Sequence, residues 1–153
     1  MWQVRPGAGV SWMTSLGAGA RWRPAISGDR IVWQDRRNGN GDIYLYDLAS
    51  ETERRITTDR SAQYDLAIAG DRIVWLDDRN GLDGDIYLYD LATETERRIT
   101  LTDLSGQHDL AISGDRIVWA DHRNGNSGVY LYDLNDPVVT DCSPPARSRQ
   151  SNR

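Results

Sequence analysis

Carboxylates, asparagines and arginines recur in this sequence at spacings that admit several kinds of chemistry. The run DRRNGNGD places Asp35, Asn38, Asn40 and Asp42 close together, and a second run offers Asp77, Asp83 and Asp85. Calcium takes six to eight oxygen ligands, and loops of Asp and Asn supply them, so these are the candidate metal residues. The competing reading is turn chemistry, in which Asn-Gly bends the chain and the carboxylates satisfy turn amides. The spacing lacks the twelfth-position Glu of an EF-hand, and the third run has Gly128 where the others end in Asp. Turn chemistry is therefore the expectation. Three Asp-x-Arg triplets follow: Asp35/Arg37, Asp77/Arg79 and Asp121/Arg123. Residues two apart on a strand share a face, so each triplet can form an ion pair, and the sequence reading has it linking neighbouring units of structure. A catalytic group normally occurs once. A triplet that occurs three times is read as structural.

Other reactive residues are few. His108 and His122 are the two histidines. Neither has a second histidine at ligand spacing, and no activated nucleophile pairs with either in the sequence. Cys142 is the one cysteine, which excludes an internal disulfide and a cysteine metal site. Gly28-Asp29-Arg30 and its repeats are tight turns, where glycine takes a positive φ. No helix follows them, so they are not phosphate loops. We expect no catalytic residue and no cofactor. Trp33, Trp75 and Trp119 can be read as an aromatic ladder for a sugar or peptide, or as packing residues; packing is the expectation.

Internal repetition shows what must position these residues. AISGDRIVW occupies 25–33 and 111–119, with AIAGDRIVW at 67–75, so the offsets are 42 and 44 residues. DIYLYDL stands at 42–48 and 85–91, VYLYDL at 129–134, and TERRIT at 52–57 and 95–100. Each copy holds four short β signals. We place them at 22–26, 30–35, 42–47 and 53–57, then at 64–68, 72–77, 85–90 and 96–100, and last at 108–112, 116–121, 128–133 and 137–140. Asn-Gly at 38–39, 80–81 and 124–125 marks the hairpin between the second and third strands of each copy. Ile43 and Leu45 alternate with Tyr44 and Tyr46, so both faces of the sheet are apolar and both must be covered. A repeat of 40–45 residues with four strands and two covered faces is the pattern of a propeller blade. The fold class is all-β: a partial β-propeller of about three four-stranded antiparallel blades, at about 22–58, 64–101 and 108–140.

The unit PAISGDRIVWQDRRNGNGDIYLYDL resembles the WD-like repeat of TolB-like β-propellers, over roughly residues 22–134. The resemblance implies protein-binding surfaces and a periplasmic, cell-surface or secreted setting. It also implies six or more blades where this chain carries three. Three readings of that difference stand open: two chains complete a six-bladed ring, the chain is a fragment of a longer propeller, or it is a short arc on its own.

Composition narrows the partners. Hydrophobic residues make up 39% of the 153 and charged residues 27%, enough to build a core. The net charge of −5 opposes phosphate-led nucleic-acid binding, which needs a basic face. No stretch reaches the ~20 apolar residues of a membrane span. Arg5 and Ala18-Gly19-Ala20 imitate the ends of a signal peptide, but the stretch between lacks a run of Leu or Val, so none is read. Residues 1–20 are expected to be poorly ordered. The tail 141–153, with Cys142, two prolines and three arginines, is expected to be disordered. The leading functional reading is a non-catalytic module for protein–protein interaction, with a homodimer as one form. The alternatives are a structural fragment and an accessory propeller of an enzyme such as a peptidase. The first-strand positions Trp22, Tyr64 and His108 differ between otherwise similar copies and are the candidate binding residues.

Overall fold

The computed structural model describes residues 20–81, 83–100, 106–123 and 127–143. The expected N-terminal segment up to residue 19, the Asn124-Gly125 turn and the tail beyond 143 lie outside them. Twelve strands form three four-stranded antiparallel sheets, and no helix occurs among the described residues. Blade 1 holds β1 (Arg21–Ser27), β2 (Arg30–Asp35), β3 (Asp42–Asp47) and β4 (Thr52–Arg55). Blade 2 holds β5 (Gln63–Ala69), β6 (Arg72–Asp77), β7 (Asp85–Asp90) and β8 (Thr95–Arg98). Blade 3 holds β9 (His108–Ser113), β10 (Arg116–Asp121), β11 (Gly128–Asp133) and β12 (Asp136–Asp141). In each blade the strands are hydrogen-bonded in sequence order.

Local chemistry explains the turns. Ser27 pairs with Arg30, so Gly28 and Asp29 form a two-residue hairpin loop. Gly28 has φ +56°, and its counterparts Gly70 and Gly114 have +56° and +55°. A positive φ at the first central position is what the type II′ hairpin turn requires, and glycine adopts it without a Cβ clash. The expected fourth strands run too far at their ends. β4 stops at Arg55 because Thr57 turns its hydroxyl to the Ile43 amide, which donates to Oγ1 at 2.9 Å. Thr100 repeats this at Ile86, at 3.0 Å. The third copy departs in the other direction. Asp141 ends β12, the Cys142 amide donates to the Val129 carbonyl at 2.8 Å, and the Val129 amide donates to Ser143 Oγ at 3.0 Å. The first three residues of the expected tail thus complete the third sheet.

The core lies between blades. Ile43, Leu45 and Val32 of blade 1 pack against Leu66, Ile68, Ile73 and Trp75 of blade 2. Val74, Leu76, Ile86 and Leu88 on the other side of blade 2 pack against Leu110, Ile117 and Trp119 of blade 3. Alternate residues of one strand thus serve opposite junctions, as the doubly apolar strands require. Burying each large apolar side chain contributes about 1.5–3 kcal/mol. First strands of neighbouring blades touch (β1 with β5, β5 with β9), while fourth strands of neighbouring blades do not. The first strand is therefore the inner edge of each blade.

Candidate functional site

A repeated anchor at the end of each second strand holds one rim. The Trp33 indole N–H donates to Asp35 Oδ2 at 3.2 Å, and the Arg37 backbone amide donates to Asp35 Oδ1 at 2.9 Å. The Arg37 guanidinium bonds the same carboxylate and lies 4.1 Å from the Tyr44 ring centroid, while Trp33 stacks on Tyr44. Blade 2 repeats this with Trp75, Asp77, Arg79 and Tyr87, and blade 3 with Trp119, Asp121, Arg123 and Tyr130. All three Asp and all three Trp side chains are buried. Burial alone would raise the Asp35 carboxyl, but the Arg37 guanidinium and amide and the Trp33 indole hold it below the usual carboxylate range. The triplets were expected to link neighbouring units. The ion pairs instead close within one blade, and Arg37 spends its remaining donor on Glu53 of the same blade. The reason is geometric: Arg37 lies in the turn beyond β2 and folds back over its own third strand.

The oxygen-rich loops are occupied by donors of the chain itself. Asn38 Nδ2 donates to Asp42 at 3.0 Å and to the Tyr44 hydroxyl at 2.7 Å. Asn40 Nδ2 donates to Asp42 at 3.1 Å and to the carbonyls of Asp59 and Ser61, while Arg55 pairs with Asp42 at 2.8 Å. In blade 2, Asn80 and Arg98 bond Asp85, and Asp77 is held by Trp75 and Arg79. Asp83 stands exposed in its turn. Among the described residues, no group of three or more His, Cys, Asp or Glu side chains is placed to hold a metal.

The same rim carries the positions that vary. Each inner strand has a register shift near its start, with Arg23, Asp65 and Asp109 at φ +50°, +51° and +54°. The bulge falls just after Trp22, Tyr64 and His108. Each of these three meets a residue placed just after the second strand of its own blade. The Arg36 guanidinium lies 4.9 Å from the Trp22 ring centroid. The Tyr64 hydroxyl donates to Asp78 Oδ1 at 2.9 Å. His108 stacks on His122, with ring centroids 5.1 Å apart and 16° between planes, and His108 Nδ1 lies 2.9 Å from the Gly106 carbonyl. Burial pushes the Tyr64 phenol well up, with the Asp78 hydrogen bond adding to it. Burial likewise raises Asp78, Tyr64 opposes that rise, and the charges of Asp77 and Asp83 reinforce it. One rim thus presents a cation on an aromatic ring, a phenol on a carboxylate, and a pair of imidazoles.

These three blades, stacked through their faces with first strands innermost, match solved structures. TolB from Acinetobacter baumannii is 26% identical, with a TM-score of 0.62; the match covers 88% of this chain and 34% of that one. The putative TolB from Agrobacterium tumefaciens is 20% identical, with a TM-score of 0.70 over 87% of this chain and 52% of that one. The fold is a TolB-like β-propeller. A puromycin-hydrolysing peptidase of Mycobacterium tuberculosis, 16% identical, matches 82% of this chain and 20% of its own at a TM-score of 0.65. The chain therefore spans about a third to a half of the two TolB structures. No protein-family model and no curated protein matches the sequence.

Two sets of propeller residues escaped the sequence reading. Arg36, Asp78 and His122 are the partners of the varying positions, and each stands 14 residues after its mate. The available signal was that both members change together from copy to copy. The second set is an inter-blade clasp on the opposite rim. Arg30 pairs with Asp71, and Arg72 with Asp115, one repeat further on. The Gly-Asp-Arg segments therefore do more than turn the chain. Open clefts of 310 and 370 Å³ flank these pairs at the two junctions.

Proposed function

We propose that the chain is a non-catalytic binding module that meets a protein partner through the rim bearing Trp22, Tyr64 and His108. The observation that carries this reading is the paired variation there. Anchor, hairpin and core residues repeat from blade to blade, whereas Trp22–Arg36, Tyr64–Asp78 and His108–His122 change as units. A packing role would favour one solution three times, as at Trp33, Trp75 and Trp119. Three different polar-aromatic pairs, partly exposed on one rim, supply the chemistry that protein interfaces favour: amphipathic rings and charged groups ready to bond. The buried Asp, Arg and Trp groups support a non-catalytic reading, because each occurs once per blade and is consumed in holding it. The acid net charge supports a protein over a nucleic acid as partner. We place the module in the periplasm or at the cell surface, as the resemblance to TolB-like propellers implies.

A second reading has one observation behind it. The likeness to the propeller part of a peptidase favours an accessory propeller, which would take its partner in the same polypeptide or complex. Both readings meet one experiment. The chain and a Trp22→Ser/Tyr64→Ser/His108→Ser variant with an unchanged far-UV spectrum are used as bait in the same extract. Proteins held by the first and released by the second support the rim as the binding surface; a peptidase among them favours the accessory reading. Identical captures by both baits would sink the rim assignment.

A further inference from the structure

The two junctions inside the chain follow a rule, and both ends of the arc present halves of it. Each Gly-Asp-Arg turn sends its arginine forward to the aspartate of the next blade: Arg30 reaches Asp71 and the Gly70 carbonyl, and Arg72 reaches Asp115 and the Gly114 carbonyl. Blade 3 has the arginine and no next blade. Arg116 bonds only Asp133 of its own blade, through Nε, and its side chain is 69% exposed. Blade 1 has the aspartate and no preceding blade: Asp29 is exposed. The series thus ends in a cation on one side and an anion on the other.

Three further positions agree. Ser27 Oγ accepts the Gly70 amide across the first junction at 2.9 Å. Blade 2 has Ala69 there and makes no such bond, but blade 3 restores the hydroxyl as Ser113, facing where a Gly28 amide would stand. Asp65 takes the Arg23 guanidinium from the blade before and the Leu110 amide, at 3.3 Å, from the blade after. Asp109, its counterpart, is 85% exposed. A following blade 1 would offer Pro24, which has no N–H, and beside it the cation of Arg23. The apolar surfaces match as well. Ile68 and Ile112 pack against the blade before them, whereas Ile26 is 64% exposed. Ile43 and Ile86 are buried by the blade after them, whereas Val129 is 52% exposed. Trp33, Tyr44 and Tyr46 are already buried as a group on the outer side of blade 1, so Ile26 and Trp22 are its exposed apolar surface.

We infer that the outer side of blade 3 docks on the outer side of blade 1 of a second copy of this chain, so that two chains close one ring. A closed ring made of this chain alone has a multiple of three blades, and two copies give six. A head-to-tail contact generates a ring when its rotation closes. The match to 52% of the putative TolB chain makes two copies about as much propeller as that chain holds. This inference builds on the reading of the chain as an interaction module by naming one partner, and the two fail separately.

The test is the mass in solution of the full chain by light scattering after size exclusion, over a hundredfold concentration range. A species at twice 17.3 kDa is expected. Arg116→Asp and Asp29→Arg should each weaken self-association about 3- to 10-fold, the loss expected for two exposed ion pairs. The double variant, which restores opposite charges at both junctions, should recover most of it. Both sites are exposed, and circular dichroism confirms that the variants fold. A monomer throughout, a three-chain species, or a double variant no better than the singles would overturn the inference. A monomer that still captures its rim-dependent partner would leave the module reading intact.

Discussion

The junction between blades 1 and 2 is latched by buried amide side chains, and the same positions between blades 2 and 3 are apolar or unpaired. At the first junction Gln34 Nε2 donates to the Gln63 carbonyl at 2.7 Å, Thr57 Oγ1 donates to Gln63 Oε1 at 3.0 Å, and Gln63 Nε2 donates to the Ser61 carbonyl at 2.7 Å. The Gln63 backbone amide donates to the Gly41 carbonyl at 2.8 Å. At the second junction Leu76 replaces Gln34 and packs with Leu110 and Ile117. Thr100 turns to Asp85 at 3.3 Å. Gln107, in the place of Gln63, is buried with neither side-chain amide atom bonded. One blade design therefore tolerates two ways of sealing a junction. A satisfied polar network fixes position, while an apolar contact adds burial but leaves a polar group unpaired when only one partner has changed.

The largest effects should be blind to this difference. Trp75 fills the first junction and Trp119 the second, and both are buried. Trp75→Ala and Trp119→Ala should each cost about 3–5 kcal/mol in urea unfolding, as truncation of a buried Trp does. A much smaller loss for Trp119 would mean that the second junction is loosely packed. The next pair separates the junctions. Gln63→Leu strands the Thr57 hydroxyl and Ser61 carbonyl and should cost about 1–3 kcal/mol, the penalty for buried groups left unbonded. Gln107→Leu removes two unbonded atoms and should be neutral or stabilising. Equal losses would mean that Gln107 finds partners in solution, and the contrast would collapse.

Much of this architecture was legible in the sequence because repetition exposes it. The 42- and 44-residue offsets fixed the blades, and the doubly apolar DIYLYDL strands showed that both faces are covered. The two kinds of junction were not legible. Gln63 and Gln107 look identical in their local sequences, and what differs is their neighbour across the junction, Gln34 or Leu76. The direction of Arg37 was missed because strand periodicity does not govern a residue one step past the strand end. The reach of Arg30 was missed because its partner lies one repeat away, and a turn motif gives no information at that distance. The rim was partly legible: the change at Trp22, Tyr64 and His108 was visible, but its coupling to Arg36, Asp78 and His122 depends on the hairpin register.

Acid should divide two carboxylates of neighbouring blades. Asp35 of blade 1 has a lowered folded value despite its burial, because the Arg37 guanidinium, the Arg37 amide and the Trp33 indole favour its charge. Its contribution is present above the unfolded value of about 3.9 and is lost as pH falls through the lower folded one. Asp78 on the rim of blade 2 is raised, by burial first and by the charges of Asp77 and Asp83. Its destabilisation is present at neutral pH and is relieved as pH falls through its raised folded value toward the unfolded one. Stability measured from pH 7 to pH 2 should therefore lose part of its acid sensitivity in Asp35→Asn. In Asp78→Asn it should gain at neutral pH and become steeper in acid. The same pH profile for both variants would show that the rim carboxylate is as well paired as the anchor.

The smallest expected effect asks whether the outer clasp shares in the difference between junctions. Arg30 and Arg72 make the same reach to the next blade, and each is about a third exposed, with aspartate partners more exposed still. Solvent screens such pairs, and their measured worth is about 0.2–1 kcal/mol. Arg30→Gln should therefore lower stability slightly in urea unfolding, and Arg72→Gln should do so to the same degree. If the amide network is what distinguishes the first junction, the two variants give the same shift, well below that of Gln63→Leu. A clearly larger loss for Arg30→Gln would assign the difference to the whole first junction, with the Ser27–Gly70 bond and the Arg23–Asp65 pair acting together with the clasp.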